Sequence, residues 1–375
     1  MTKKTEATQT RRQAKTLIVG IQTPQNFAKN IESYFEEFKN LVKSNGVQAD
    51  HEVFFKLRSI DPAYFITKGK LDDLMKLCEK EGIEEVIFSE PLLAQQERNL
   101  TDVLGARAFD RTHLILEIFE KGAQSAEGKT QVAIAMLQHK KSRLAGHGHF
   151  MSQQGGSIGT RGPGETQKEK ETQHIEHLMN KLRRDLEQLK KVRDTQRKQR
   201  LSSNTPQICL IGYTNSGKSS ILNALTNSNV SAADRLFETL DTTTRELYID
   251  GKKLGVISDT VGFIQLLPHN LIEAFKSTLT ELQHAHLLLN VVDISDINWE
   301  SHINVVNEIL EELNVDKPIL YVFNKADKVS DFSIINSQIA KYQPHVVTST
   351  LSAAGLEPLI NFLRTWQAQK KSTLK

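Results

Sequence analysis

The sequence holds only two cysteines in 375 residues, Cys78 and Cys209, which is too few for a disulfide framework. Cys209 falls inside an apolar run and reads as a small core residue rather than a metal ligand or half of a redox pair. Long hydrophobic runs are also missing. No stretch approaches the ~20 apolar residues a membrane helix needs, and the longest candidates, such as Leu287 to Val292, suit core strands. The N-terminus is polar and lacks an apolar export segment, so a cytoplasmic protein is expected. An excess of one charge is lacking too: the formal net charge is +3, which names no partner by itself. What remains is ordinary for a soluble globular chain, 38% apolar and 25% charged, long enough for two or three domains.

The distribution of charge says more than its sum. Lys181, Arg183, Arg184, Lys190, Lys191, Arg193, Arg197, Lys198 and Arg200 crowd one short stretch with few acids. Such a run is either a solvated helix face or a surface for a polyanion, and RNA is the obvious cytoplasmic polyanion.

The strongest local signal is Gly212-Tyr213-Thr214-Asn215-Ser216-Gly217-Lys218-Ser219, which fits G-x-x-x-x-G-K-[ST]. The apolar run Gln207 to Ile211 before it reads as a buried parallel strand, and Ser220 to Leu225 after it has helical spacing. In that context, backbone N–H groups wrap a nucleotide's phosphates, the lysine meets the β/γ oxygens, and the hydroxyl reaches Mg2+. The helix N-terminus adds its own preference for negative charge.

Two further segments choose the base and the reaction. Asp259-Thr260-Val261-Gly262 closes the apolar run Leu254 to Ser258; an aspartate there can hold Mg2+ through water, and the glycine N–H can approach a γ-phosphate. An ordinary strand-end turn would use the same residue types. Asn324-Lys325-Ala326-Asp327 follows the run Ile319 to Phe323 at a strand's carboxyl end, where open α/β sheets place ligands. Guanine offers N1–H and an amino group as adjacent donors that one carboxylate accepts together. Adenine offers no such pair, so Asp327 would select guanine by leaving its charge unpaired otherwise. Lys325 can lie across the base.

This set resembles the translation-factor-related GTPases, and the resemblance guides the remaining positions. It implies that Ser349-Thr350-Leu351 is the base-contacting loop, with Thr350 where alanine is usual. It also implies that the threonine closing on Mg2+ and γ-phosphate comes from Phe237-Glu238-Thr239-Leu240-Asp241-Thr242-Thr243-Thr244-Arg245. Thr239 is favoured by its distance from Ser219, as in the related Obg-type GTPases, with Thr243 and Thr244 as alternatives. Lys218, Thr239 and Gly262 are then the expected catalytic set, and Ser219 and Thr239 the expected Mg2+ ligands. After Asp-x-x-Gly, Ras-like enzymes carry a glutamine that orients the attacking water. Here Phe263 and Ile264 follow, so slow intrinsic hydrolysis is expected until a partner completes the site.

Upstream, Leu17 to Ile21 reads as a strand, and Phe27 to Val42 has amphipathic helical spacing. A helix at Leu71 to Leu77, a strand at Glu85 to Phe88, a helix at Leu93 to Leu104 and a β-rich segment around Thr112 to Phe119 complete a small α/β domain. Lys68-Gly69-Lys70 reads as a turn entering a helix. Residues 124–145 and 165–201 read as two long helices, the second placing Ile175, Leu178, Met179, Leu182, Leu186, Leu189 and Val192 on one stripe. Between them, Gly155 to Gln167 is glycine-rich yet carries Ile, Thr, Arg and Pro, which suits close approach to a backbone or phosphate chain better than a plain connector.

Gly155 to Gln167, the helical hairpin around it, and the nucleotide motifs together resemble the HflX family over roughly residues 17 to 370. The expected architecture is α/β: tail 1–16, N-terminal α/β domain 17–123, helical hairpin with glycine-rich loop 124–204, GTPase domain 205–370 with a mostly parallel sheet, and tail 371–375. The segment Thr67-Lys68-Gly69-Lys70 departs from the family's commoner Gly-Ser-Gly-Lys. The resemblance implies a monomeric GTPase that takes GTP with Mg2+, binds the large (50S) ribosomal subunit and its rRNA, and splits stalled ribosomes under stress such as heat. Large-subunit assembly, or a nucleotide-gated RNA-binding scaffold, stays open at this point.

Overall fold

The computed structural model describes residues 14–24, 31–145, 163–202, 205–226, 236–237, 243–266, 271, 281–329 and 331–373. Phe27, the glycine-rich residues Gly155 to Gly162, and Glu238, Thr239, Leu240 and Asp241 lie outside these residues.

The N-terminal sheet is built around β1 (Thr16–Gln22), an almost wholly buried strand. Burial on both faces explains why its sequence is a continuous apolar run rather than an alternation. Parallel neighbours are β2 (His51–Lys56) on one side and β3 (Glu85–Phe88) on the other, with β4 (Arg107–Asp110) beyond, in the order β2-β1-β3-β4. Helices α1 (Ile31–Ser44), α2 (Lys68–Glu81) and α3 (Ala94–Leu104) make the crossovers. Lys68-Gly69-Lys70 forms the first turn of α2, with Thr67 extended at its N-cap.

One expectation is overturned here. Thr112 to Phe119 is not β-rich but lies in α4 (Arg111–Gly122). The Asp110 carboxylate ends the strand and caps the helix by accepting the His113 N–H at 2.9 Å. Leu114, Ile115, Leu116, Ile118 and Phe119 are all buried. A helix covered on nearly every side loses its polar face, and with it the period that marks a helix in sequence.

Two long helices follow, α5 (Ala126–Ala145) and α6 (Pro163–Ser202). They pack together near their connection, with Lys140 to Glu171 at 3.1 Å and Lys141 to Glu176 at 2.7 Å. Ile175, Met179 and Leu186 are buried on the expected stripe, while Lys181, Arg183 and Arg184 are exposed.

The second sheet has the order β10-β9-β8-β5-β7-β6. Its centre is β5 (Gln207–Gly212), flanked in parallel by β7 (Lys252–Asp259) and β8 (Leu287–Asp293), then β9 (Ile319–Asn324) and β10 (His345–Val347). Only β6 (Thr243–Ile249) is antiparallel, at the edge. The helices are α7 (Lys218–Thr226), α8 (Trp299–Glu312), α9 (Phe332–Ile339) and α10 (Ala353–Thr373). The mixed α/β architecture with mostly parallel sheets is therefore as expected. One apolar cluster joins the two halves, running from Phe38, Leu114 and Phe119 to Tyr213, Phe237 and Phe263.

Candidate functional site

Parallel strands deliver their carboxyl ends to one edge, so Gly212, Asp259, Asp293 and Asn324 converge there. The loop between β5 and α7 needs its glycines for specific reasons. Gly212 has φ +143°, and a Cβ on it would fall 2.3 Å from Val291 O. Gly217 has φ +97°, and a Cβ there would meet Asn324 Nδ2 at 2.2 Å. Without a side chain at 217, Asn324 donates to Ser216 O at 3.0 Å and ties the two nucleotide motifs together.

Lys218 is buried, 6% exposed, and its ammonium donates to Tyr213 O at 2.7 Å and Gly212 O at 3.2 Å. Burial lowers its pKa to about 8, Asp259 opposes that shift, and Lys325 adds to it. A buried cation whose hydrogen bonds among the described residues go to carbonyls is poised for an anion. Around it, the buried hydroxyls of Thr214 and Ser216 have no hydrogen-bond partner among the described residues. An incoming phosphate would hold Lys218 protonated. Nucleotide affinity is therefore expected to fall as pH rises through about 8, by up to about tenfold per unit, because the empty site must then take up a proton on binding. Isothermal titration across pH 7 to 9.5 in buffers of different ionisation enthalpy checks both the slope and the proton uptake. For the empty fold the sign is opposite: between about 8 and 10.5 the unfolded chain holds more protons on this lysine, so stability contributed here rises with pH.

Ser219 Oγ donates to Asp259 Oδ2 at 2.7 Å, and Asp259 is fully buried. A hydroxyl and a carboxylate are the hard oxygen donors that Mg2+ takes. These residues fit the metal. Thr260 serves the fold instead, donating from Oγ1 to Leu210 O at 2.7 Å, and Val261 is buried. A Cβ on Gly262 would lie 2.9 Å from Thr214 Cα and 3.0 Å from Lys218 Nζ, so only glycine lets the segment after β7 pass so near the loop. Phe263 and Ile264 are buried in the apolar cluster and present no hydrogen-bonding side chain.

On the base side, Lys325 (φ +61°) donates to Asn215 O at 2.8 Å and pairs with Asp293 at 2.6 Å. Asp327 is exposed and accepts from Ser349 Oγ at 2.5 Å. Ser349 N–H bonds to Gly355 O, and the Ser349 hydroxyl accepts Leu351 N–H at 3.3 Å. Thr350 is half-buried, and Leu351 is 79% exposed, an apolar side chain with nothing yet to cover.

The proposed switch residues are only partly brought together. The Phe237 ring is buried and packs on Phe119 with ring centroids 4.6 Å apart, not on the phosphate loop. Thr243 pairs across the ladder with Asp259, and the Thr244 hydroxyl shares a hydrogen bond of 2.9 Å with Ser258. Asp293 belongs to none of the sequence motifs, and its one signal is its place at the end of the apolar run Leu287 to Val292. Glu37, which accepts from Tyr213 behind the loop, and Arg111, which donates to Glu37, carry no local sequence signal.

Comparison with known proteins agrees with this geometry. Residues 32–120 match the family described as GTP-binding GTPase N-terminal, residues 122–200 its middle region, and residues 207–325 the family described as 50S ribosome-binding GTPase. GTPase HflX of Caldanaerobacter subterraneus subsp. tengcongensis is 42% identical over 297 residues, covering 79% of this chain and 69% of that protein. GTPase HflX of Escherichia coli is 38% identical over 330 residues, covering 88% and 78%. A crystal structure of SsGBP with GDP matches 95% of this chain and 99% of that one, with a TM-score of 0.52 and 25% identity. The chain belongs to the HflX family of GTPases.

Proposed function

We propose that this GTPase works on the large ribosomal subunit in the cytoplasm, as a monomer, and splits or rescues stalled ribosomes under stress such as heat. The observation that carries this reading is the pairing of a hydrolytic site lacking a polar group after Gly262 with an exposed basic stretch on α6. Phe263 and Ile264 are 1% exposed, so neither aligns an attacking water. Lys181, Arg183 and Arg184 stand exposed on α6, where a polyanion such as rRNA would both bind and orient the protein.

In this reading Lys218 and the loop from Gly212 to Ser219 hold the phosphates, and Asp327 with Ser349 to Leu351 holds guanine. Ser219, Asp259 and Thr239 would hold Mg2+, and the ion would supply positive charge to the phosphates. Gly262 N–H faces the γ-phosphate and reports its loss. With triphosphate bound, the switch segments order and the chain grips its target; after hydrolysis they relax and it leaves. The nucleotide sets this equilibrium only by its differential affinity for the two states.

Co-sedimentation with isolated ribosomal subunits tests the reading. The chain should pellet with large subunits in a non-hydrolysable GTP analogue and much less in GDP, and binding should fall steeply with salt as counterions are released. Equal pelleting with both nucleotides, or with small subunits alone, would overturn it.

A further inference from the structure

Behind the phosphate-binding loop, side chains from two distant parts of the sequence meet. Glu37 of α1 accepts hydrogen bonds from the Tyr213 hydroxyl and from Arg111 Nη2 of α4. The Tyr213 oxygen in turn accepts the Gln265 N–H at 2.9 Å, and Arg111 Nη2 donates to Gln265 O at 3.3 Å. Gln265 thus has both main-chain polar groups held by this network. It stands three residues beyond Gly262, which in the proposed reading meets the γ-phosphate. The Tyr213 ring is kept in place by His302, stacked on it at 3.8 Å and 10°.

Stability does not explain this arrangement. Arg111 is fully buried, and its Nε and Nη1 have no hydrogen-bond partner among the described residues. Buried ion pairs with incomplete hydrogen bonding are generally no more stable than apolar packing of the same volume. What the network does accomplish is positional. A second attachment repeats it on the other switch: Leu236 N–H donates to Ser44 Oγ of α1 at 3.1 Å, and Phe237 packs on Phe119 of α4. Phe237 has φ +60° and Leu266, beside Gln265, has φ +54°. Bulky side chains persist in that region only where the surroundings hold them there.

The held state is one in which switch II leans on the loop. Phe263 O accepts Thr214 N–H at 2.7 Å, and Phe263 N–H donates to Gly212 O at 3.1 Å. Gly262 lies against Thr214 and the Lys218 ammonium, with no room for even a Cβ. A γ-phosphate seated against the Lys218 ammonium and the Gly262 N–H would need space between them that this packing does not leave, and Gly262 is joined to Gln265 through the buried Phe263 and Ile264.

We propose that Glu37 and Arg111 are positioning residues for switch II, through which α1 and α4 sense the γ-phosphate and oppose its entry. The proposal rests on the guanine-nucleotide reading of the site and not on the ribosomal one. Coupling is reciprocal. A partner that shifts α1 or α4 releases Gln265 and favours the triphosphate state, and triphosphate binding loosens α1 and α4 from the loop.

The test compares affinities for GDP and a non-hydrolysable GTP analogue in the full chain, for wild type, Glu37→Gln, Tyr213→Phe and the double variant. Glutamine keeps the shape of Glu37, and phenylalanine keeps the stack on His302. Each single change should raise the triphosphate-to-diphosphate preference by about five- to tenfold, and the double variant should gain no more than the larger single, since both cut one chain of contacts. A lowered Tm with an unchanged preference would mean a purely structural network and overturn the proposal. Independent, additive shifts would overturn it as well. If the wild-type chain binds neither nucleotide, the failure lies instead in the guanine-nucleotide reading.

Discussion

Replacing Lys218 with alanine should remove guanine-nucleotide binding, with a loss of at least about a hundredfold in affinity. The expected size follows from where the ammonium sits. It is 6% exposed, bonded among the described residues to the carbonyls of Gly212 and Tyr213, and desolvated enough to bring its pKa down to about 8. The protein has therefore already met the desolvation cost that a solvent-exposed lysine would meet on binding, so the charge acts on phosphate at low local dielectric. Alanine removes the charge and leaves a void facing the β/γ phosphates. Fluorescent GDP and GTP titrations measure the loss, and a melting curve separates it from unfolding. Binding within threefold of wild type would remove Lys218 from the site.

The second large effect is a change of base rather than a loss of binding. Asp327→Asn should weaken GTP by roughly a hundredfold or more and admit xanthosine triphosphate in its place. Guanine offers two adjacent donors to one carboxylate. Xanthine offers N1–H and a carbonyl at C2, which an amide side chain matches donor for acceptor. Asp327 can make this exchange, being exposed and held among the described residues by the Ser349 hydroxyl. The neighbouring frame does not depend on it, since Asn324 is fixed by Ser216 O and Lys325 by Asn215 O and Asp293. Competition of labelled GTP by xanthosine and guanosine nucleotides reads the exchange directly. Retained guanine selectivity would mean that another group reads the base.

How much of this was legible in the sequence depended on the range of the signal. The loop from Gly212 to Ser219 could be read because strand, turn glycines, lysine and helix start are contiguous. Asn324 to Asp327 could be read because a strand end carries all of it. Where burial was complete, the pattern failed. Leu114 to Phe119 has no polar face because α4 lies between the N-terminal sheet and the GTPase half, so it looked β-rich. The edge strand β2 gives no strand signal for the opposite reason: His51, Glu52 and Lys56 make it too polar to stand out. Least legible was the junction behind the phosphate loop. Glu37 and Tyr213 are 176 positions apart, and a lone glutamate on a surface-like helix face carries no sign of a buried partner. Tyr213 was expected to touch nucleotide through its place in the motif; its side chain instead points back to Glu37, leaving only its main chain on the phosphate side.

The coupling at that junction and the slow chemistry expected from Phe263 and Ile264 lead to the same requirement, that something outside the chain completes the site. Steady-state phosphate release from GTP, with and without purified large ribosomal subunits, tests it most directly. Slow turnover alone, strong acceleration by large subunits and none with ATP are the expected results. Rapid turnover by the isolated chain, or a rate indifferent to added subunits, would contradict the account.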